Sequence, residues 1–258
     1  MTDPIPIWER TGILIGAAGI ERLSRARVLL AGLGGVGSFA AEAFARAGIG
    51  ALTIADHDRV APSNLNRQLC ALGSTVGALK TDVMARRIAD INPDCRLTVI
   101  DRFLSADELP TLVRRGSDGQ GFDQVVDAID SLSSKVALIA AALDAGVPVA
   151  ASMGAGGRLD PTRIRSGDLM DSDGCPLARV VRRGLRRRGY GREQKNRGRR
   201  GVLAVWSTEP PRAPLPPEPT SRGRPRAVNG TISYMPALFG LTLSGLVIQR
   251  LLAERDSA

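Results

Sequence analysis

A glycine-rich turn near the start of the chain, with charged and amide side chains after it, has the residue types and spacing for phosphate chemistry. The turn reads Gly32-Leu33-Gly34-Gly35-Val36-Gly37 and follows a run of small apolar residues. A turn of this kind between a strand and a helix presents backbone N–H groups and the positive end of a helix dipole, where a phosphate can bind. By itself, the G-x-G-x-x-G pattern is equally typical of a dinucleotide-dependent dehydrogenase.

The polar side chains further along the chain favour a different chemistry. They follow predicted strands, lie in turns or begin a predicted helix, and they are Asp56, Asp58, Asn64, Arg67, Lys80, Asp130 and Ser131. Asp56 stands where a dehydrogenase holds the ribose hydroxyls. Asn64 and Arg67 are three residues apart, which places them on one face of a helical turn. Hydride transfer needs no pair of cations, whereas attack at phosphorus does, because charge builds up on the phosphoryl oxygens.

Alternating strand and helix patterns would bring these residues together. Strands are predicted at 27–32, 51–56, 96–101, 123–128 and 147–153, and helices at 13–24, 36–47, 77–91 and 132–145. Such alternation predicts a parallel sheet with helices on both faces. Ligands bind these sheets at the carboxyl ends of the strands. The sequence therefore predicts an α/β fold, Rossmann-like, with a doubly wound and mainly parallel sheet.

The chain after residue 161 has a different composition. A basic segment at 179–200 is dense in arginine, with Val180, Val181 and Leu185 able to give part of it a helical face. A short strand is predicted at 202–206, a mobile Pro-rich loop at 210–226, and a closing segment with a helix at 229–252. We expect one domain over 1–258, with a core at 10–161, an extension at 162–228 and a closing segment at 229–254.

Composition narrows the functional classes. The formal net charge of +9 suggests a polyanionic partner, although arginine in excess can also simply solvate a surface. The 3 cysteines are far apart, which argues against a zinc site or a disulfide framework and fits a reducing cytoplasm. The first ten residues lack the plan of a signal peptide. The apolar run 235–248 is short for a membrane span and contains Thr242 and Ser244, so we expect a buried helix or subunit interface and no membrane.

The motifs resemble those of a known superfamily. The glycine turn, the Asp56-x-Asp58 pair, Asn64-x-x-Arg67-Gln68, Lys80 and Asp130 are similar to those of the adenylating enzymes that activate ubiquitin, molybdopterin synthase and thiamine-pathway proteins. This resemblance extends over about residues 10–161. Later segments resemble one family of that superfamily, the tRNA threonylcarbamoyladenosine dehydratases. These segments are 46–50, 154–157, 176–179, 207–209 and 229–234.

The resemblance implies a role for each matching residue. Gly32, Gly34, Gly35 and Gly37 would form the ATP phosphate turn, with Asp56 on the ribose and Asp58 and Ser131 beside the nucleotide. Asn64, Arg67 and Lys80 would hold the triphosphate, and Asp130 would bind Mg²⁺. The implied catalytic set is Arg67, Lys80 and Asp130. The implied reaction adenylates the threonylcarbamoyl carboxylate on tRNA and closes a ring without a protein thiol.

Partners also follow from the resemblance and the charge. A homodimer and a tRNA substrate are implied, with a sulfur-transfer protein as a further candidate partner. The arginines expected to contact RNA are Arg182, Arg183, Arg186, Arg187 and Arg188. In other members of the superfamily an arginine from the neighbouring subunit reaches the ATP site. Only Arg10 is available here for that role, and the zinc-binding cysteines of the sulfur-pathway relatives are absent.

Two alternatives to the dehydratase interpretation stay open. The chain could activate a ubiquitin-like or sulfur-carrier protein, which would require a partner with a C-terminal glycine tail and usually a thiol. It could instead be a degenerate nucleotide-binding module that serves as an RNA scaffold, which the joint presence of the four residues Asn64, Arg67, Lys80 and Asp130 disfavours. We expect His57 to be a solvated loop residue and Cys175 to be a bystander.

Overall fold

A seven-stranded sheet forms the centre of the computed structural model, which describes residues 6–116, 119–191, 201–216 and 229–253. The strands are β1 Arg27–Ala31, β2 Ala51–Ala55, β3 Arg96–Ile100, β4 Gln124–Asp127, β5 Val149–Ser152, β6 Ile164–Asp168 and β7 Leu203–Ser207. Their order is β3-β2-β1-β4-β5-β7-β6. All neighbouring pairs are parallel except β6 and β7, which are antiparallel. This architecture confirms the predicted α/β fold.

Helices cover both faces of the sheet. They are α1 Glu9–Arg25, α2 Gly37–Arg46, α3 Lys80–Ile91, α4 Leu109–Arg115, α5 Leu132–Ala145, α6 Pro176–Arg187 and α7 Tyr234–Ala253. One apolar core joins α4, α5 and α6 to one face of the sheet, and a second joins α2, α3 and α7 to the other. Successive residues of β1 enter opposite cores, with Leu29 in the first and Leu30 in the second, as the period of two in a strand requires.

Helix α7 is apolar on nearly all sides. Among the described residues it is the one helix whose length and composition would allow it to cross a membrane. Met235, Phe239, Leu243 and Val247 lie in the core with no exposed surface, at the spacing of one helical face. The helix packs against α2 and α1. Its apolar composition is therefore used, at least along this face, for burial inside the fold.

The structure contains three elements that the sequence patterns do not predict or predict only in part. The sequence patterns do not predict helix α4 or strand β6, and they predict α6 only as a partial helical face. Strand β6 contains one apolar residue, Ile164, so it has no hydrophobic alternation, and it forms the edge of the sheet by pairing with β7. The predictions for 192–200 and 217–228 fall outside the described residues.

Candidate functional site

The glycine turn between β1 and α2 is held by close backbone contacts. A Cβ atom on Gly37 would lie 1.7 Å from the carbonyl oxygen of Gly32. Gly32 has a φ of +93°, and a Cβ there would lie 2.6 Å from the carbonyl oxygen of Ala128. These two glycines are required because the turn packs against itself and against the end of β4.

The middle of the turn is less constrained by the protein. A Cβ on Gly34 would have only Gln68 Nε2 near it, at 3.7 Å, whereas one on Gly35 would meet Pro236 of α7 at 2.8 Å. Val36 precedes α2, and no side chain in the described part of the chain caps the first turn of that helix. The uncapped N–H groups and the space at Gly34 form a surface that fits an anionic group such as a phosphate.

A chain of hydrogen bonds connects the glycine turn to Lys80. Asp56, directly after β2, accepts the backbone N–H of Leu33 at 2.6 Å and that of Asp58 at 2.8 Å. Asp58 Oδ2 in turn lies 2.9 Å from Nζ of Lys80. Lys80 is the first residue of α3 and is buried, while the Asp58 side chain is about half exposed. The ammonium group is therefore fixed beside the turn by a carboxylate that is still open to solvent.

The turn formed by residues 62–68 lies over the glycine turn. A Cβ on Gly35 would be 3.4 Å from the carbonyl oxygen of Arg67, and the backbone N–H of Leu69 donates to Ser38 Oγ at 3.1 Å. Asn64 uses its side-chain oxygen to accept the N–H of Ala61, which closes this turn. These contacts hold the turn that carries Asn64 and Arg67 against the glycine turn, and their contact with phosphate stays a prediction.

The carboxyl end of β4 supplies the third side of the site. Asp130 is exposed and Ser131 half-buried in the turn before α5. Beneath them, Asp127 and Lys135 form an ion pair of 2.6 Å in which both side chains are fully or almost fully buried. Asp127 also accepts the N–H of Ile129, and Lys135 donates to the carbonyl oxygen of Ser152. Burial raises the pKa of Asp127, and the charge of Lys135 opposes that rise.

A second loop, at residues 154–159 after β5, holds a buried guanidinium. Arg158 donates from Nε to the carbonyl oxygen of Glu209 at 3.1 Å and from Nη1 to those of Gly154 and Gly156. The carboxylate of Glu209 accepts the N–H groups of Leu159 and Asp160. The backbone N–H of Gly157 donates to the carbonyl oxygen of Gly230 at 2.7 Å. This loop adjoins the last segment of the chain at the same edge of the sheet as the glycine turn.

The arginines that the sequence predicts to contact RNA lie in helix α6, except Arg188, which directly follows it. Arg183, Arg186, Arg187 and Arg188 are exposed. Arg182 is different, because its Nη1 donates to the carbonyl oxygen of Ser172 at 2.6 Å and also to Ser172 Oγ. Arg182 therefore makes a contact within the fold that the sequence does not predict, and its contact with RNA stays a prediction.

The three cysteines are all free thiols. Burial raises the pKa of Cys70 and of Cys95, which disfavours their thiolate forms at neutral pH. Cys175 is buried immediately before α6 and faces the loop at Gly154. His57 is exposed and packs edge-on against Phe103. No described contact places the Cys175 thiol beside the glycine turn.

Sequence reasoning missed several residues that hold the site. Lys135, Arg158, Asn66 and Pro236 act through partners distant along the chain. One local signal was present for Lys135, which is the single charged residue in an otherwise small and apolar stretch of α5. Arg158 and Asn66 look like ordinary polar surface residues in the sequence, and Pro236 looks like any other member of the apolar run 235–248.

Comparison with known proteins places the chain in a family. The ThiF family matches residues 9–258. The chain is 42% identical over 199 residues to the tRNA threonylcarbamoyladenosine dehydratase of Escherichia coli (strain K12), covering 77% of this chain and 72% of that protein. It is 35% identical over 254 residues to the enzyme of the same name from Bacillus subtilis (strain 168), covering 96% of this chain and 95% of the relative.

Solved structures and a shorter match complete the comparison. The crystal structure of the E. coli dehydratase, TcdA, in complex with ATP has a TM-score of 0.80 and 35% identity over 96% of this chain and 95% of that one. A structure with AMP has a TM-score of 0.81. The E. coli sulfur carrier protein ThiS adenylyltransferase is 34% identical over 56% of this chain and 56% of its own length. The chain therefore belongs to the ThiF family, and tRNA threonylcarbamoyladenosine dehydratases match it along nearly its whole length.

Proposed function

We propose that this chain uses ATP to adenylate the carboxylate of N6-threonylcarbamoyladenosine in tRNA and then closes the ring, releasing AMP and pyrophosphate. The observation that carries this proposal is the extent of the match. Dehydratases of this name align with up to 96% of the chain, whereas the ThiS adenylyltransferase aligns with 56%. The named relative also has structures with ATP and with AMP, the nucleotides at the two ends of such a reaction.

The geometry of the glycine turn fits ATP. The uncapped start of α2 and the open space at Gly34 suit its phosphates, and Asp56, at the end of β2, suits the ribose hydroxyls. When bound, ATP supplies an electrophilic α-phosphorus and a pyrophosphate leaving group. Arg67 and Lys80 would neutralise the charge that develops on the phosphate oxygens, with Asn64, Asp58 and Ser131 beside them. Asp130 would hold Mg²⁺, since carboxylate oxygens suit that ion.

The ring-closing step places few demands on the protein. The carbamoyl nitrogen would attack the activated carbonyl carbon and form the C–N bond that closes the ring. The bond from that carbon to the phosphate oxygen would break, AMP would leave with its electron pair, and the nitrogen would lose its proton. No protein thiol enters this balance, which agrees with the raised pKa of Cys70 and of Cys95. The role of this chain in this step is to hold the carbamoyl nitrogen close to the activated carbonyl carbon and to exclude water from that carbonyl.

The reaction can be tested directly on tRNA that carries the uncyclised nucleoside. With ATP and Mg²⁺ the wild-type protein should convert it to the cyclic form, as seen by nucleoside mass spectrometry after mild digestion. Asp130→Ala should reduce ATP–pyrophosphate exchange by about 100-fold or more, because it removes a metal ligand, while leaving tRNA binding unchanged. Exchange at the wild-type rate in Asp130→Ala would remove Asp130 from its proposed role.

Activation of a sulfur-carrier or ubiquitin-like protein is the alternative function. It predicts that pyrophosphate exchange is stimulated by a carrier protein ending in a glycine tail and not by tRNA. Running the same exchange assay with each substrate decides between them. A sulfur-transfer protein stays a candidate partner of this chain under either function.

We infer that the exposed arginines of α6 contact the tRNA backbone. Reversing the charge of Arg183 and Arg186 together should weaken tRNA binding and flatten its dependence on salt, because each lost phosphate contact reduces the slope by about one. Arg96→Glu, an exposed arginine on strand β3 at the other edge of the sheet, is the matched control. An unchanged salt slope in the double variant would assign the α6 arginines to the solvated surface.

We also propose that the protein is a cytoplasmic homodimer in which residues 1–258 of each chain form a single ATP-binding domain. Ile13 and Leu14 of α1 are 80% and 86% exposed, and Leu241 of α7, which packs beside α1, is 48% exposed. A second copy would cover this apolar face. Leu14→Glu should convert the dimer to a monomer in light scattering. A wild-type protein that is already monomeric at micromolar concentration would contradict the proposal.

A further inference from the structure

We propose that Asn66 is a positioning residue that orients Arg67 for phosphate activation and connects it to residues 229–234, a segment we call the strap. This inference rests on the proposed function, because it concerns the cation that would meet the charge at the α-phosphate. The supporting observation is that the oxygen and the nitrogen of the Asn66 side-chain amide each make one hydrogen bond. Asn66 Oδ1 accepts from Arg67 Nη1 at 2.9 Å, and Asn66 Nδ2 donates to the carbonyl oxygen of Thr231 at 2.8 Å.

The guanidinium of Arg67 is held by one nitrogen only. Its Nη1 donates both to Asn66 Oδ1 and to the carbonyl oxygen of Ser63 at 2.8 Å. Within the described residues, Nε and Nη2 of Arg67 make no hydrogen bond. A guanidinium fixed in this way presents its remaining N–H groups in a set direction, which suits the planar, paired recognition of phosphate oxygens. Asn66 and Ser63 thus bind Nη1 of Arg67 and leave Nε and Nη2 available for the nucleotide.

The strap is in turn attached to the loop after β5. Gly157 donates its N–H to the carbonyl oxygen of Gly230 at 2.7 Å, and the hydroxyl of Tyr234 donates to the carbonyl oxygen of Leu159 at 2.7 Å. The bond from Asn66 to Thr231 spans 165 residues of sequence. Through Asn66, the turn that carries Arg67 and the loop that carries the buried Arg158 therefore share one segment of backbone. The ordering of the strap and the direction of the Arg67 guanidinium are coupled.

Replacement of Asn66 by leucine removes both hydrogen bonds and keeps a similar side-chain volume. Hydrogen bonds to charged groups are strong enough that kcat for ATP–pyrophosphate exchange should fall about 10- to 100-fold. The KM for ATP should stay within about threefold, since the contact matters most as charge develops. Ser74→Ala, which changes an exposed hydroxyl in the neighbouring turn, is the matched control and should keep the wild-type rate.

Two further measurements separate a positioning role from general damage. In an Arg67→Lys background, which keeps the charge but lacks the extra nitrogens, Asn66→Leu should cost less than about twofold, because its effect acts through the guanidinium. Hydrogen exchange of the strap amides should rise in Asn66→Leu and not in Ser74→Ala, a readout that does not depend on catalysis. A full additive loss in the Arg67→Lys background, pyrophosphate exchange within about twofold of wild type in Asn66→Leu, or unchanged strap protection would each overturn the inference. If the three expected results are obtained but the protein does not modify tRNA, the proposed function is contradicted and the role of Asn66 is not.

Discussion

The buried ion pair between Asp127 and Lys135 gives the strongest prediction for a single substitution. Lys135→Met keeps the aliphatic volume of the side chain but leaves the carboxylate of Asp127 with no cation, in a place where it has no exposed surface. Removing one partner of a buried pair typically costs about 3–5 kcal/mol. The carboxyl can escape part of this cost by taking a proton. At pH 7, protonation of a carboxyl with an ordinary pKa of 3.8 costs about 4.4 kcal/mol. The loss of stability caused by the unpaired carboxylate therefore cannot exceed about this value.

The expected consequence is a large fall in thermal stability. At about 2–4 °C per kcal/mol for a chain near this size, the Tm of Lys135→Met should drop by about 6–18 °C. The turn with Asp130 is anchored by this pair, so pyrophosphate exchange should fall as well. The stability deficit should shrink as the pH is lowered from 7 towards 4. The reason is that the folded variant would hold Asp127 protonated, with a raised pKa. A carboxyl whose pKa is higher in the folded than in the unfolded state makes the protein less stable as the pH rises above the unfolded-state pKa.

Two comparison variants make the result interpretable. Asp127→Leu combined with Lys135→Met replaces the pair by apolar groups and should recover much of the lost stability. Arg102→Met removes an exposed pair with Glu108 of the same 2.6 Å separation and should cost less than about 1 kcal/mol. The reasoning would be refuted by a Lys135→Met protein with a Tm within about 2 °C of wild type, or by a deficit independent of pH.

Three other predictions use the same structure. Gly37→Ala should prevent folding to a soluble protein, because its Cβ would lie 1.7 Å from a backbone oxygen. Gly34→Ala should fold normally and bind ATP at least about tenfold more weakly, because the new methyl group would occupy space at the phosphate turn. Equal solubility of the two variants would contradict this contrast. Partial burial raises the pKa of Glu42, but hydrogen bonds from Arg87 and Arg46 outweigh it and hold the pKa below 4.5. The stabilisation from Glu42, about 1 kcal/mol or less because Arg87 is partly exposed, is fully present above pH 4.5 and is lost as the pH falls through the lowered pKa. The difference in Tm between Glu42→Gln and wild type should therefore be largest near pH 7 and become smaller as the pH is lowered below 4.5. Cys175→Ala should keep its tRNA-modifying activity within about threefold, and an inactive but folded variant would require a thiol in the reaction.

Local patterns in the sequence are enough to predict the central sheet, several helices and the glycine turn. Strand and helix alternation predicts the parallel sheet, and it predicts α5 with the bounds that the structure has. The glycine turn could be located because its glycines are close together in the sequence and follow a run of small apolar residues. The helix that carries Lys80 is also predicted, although its expected start lies three residues before the observed one. In these places, a period of two or 3.6 residues and a turn rich in glycine carry the information.

Contacts between residues that are distant in the sequence could be identified only from the folded structure. Asn66 and Thr231, Asp127 and Lys135, and Gly35 and Pro236 are pairs that no local pattern connects. Strand β6 lacks hydrophobic alternation and is a strand only because β7 lies beside it with unpaired backbone groups. Arg182 looks like its neighbours in the sequence, and only the position of Ser172 directs it into the fold. Side-chain partners and sheet edges arise from contacts between distant segments, so their formation depends on the whole fold.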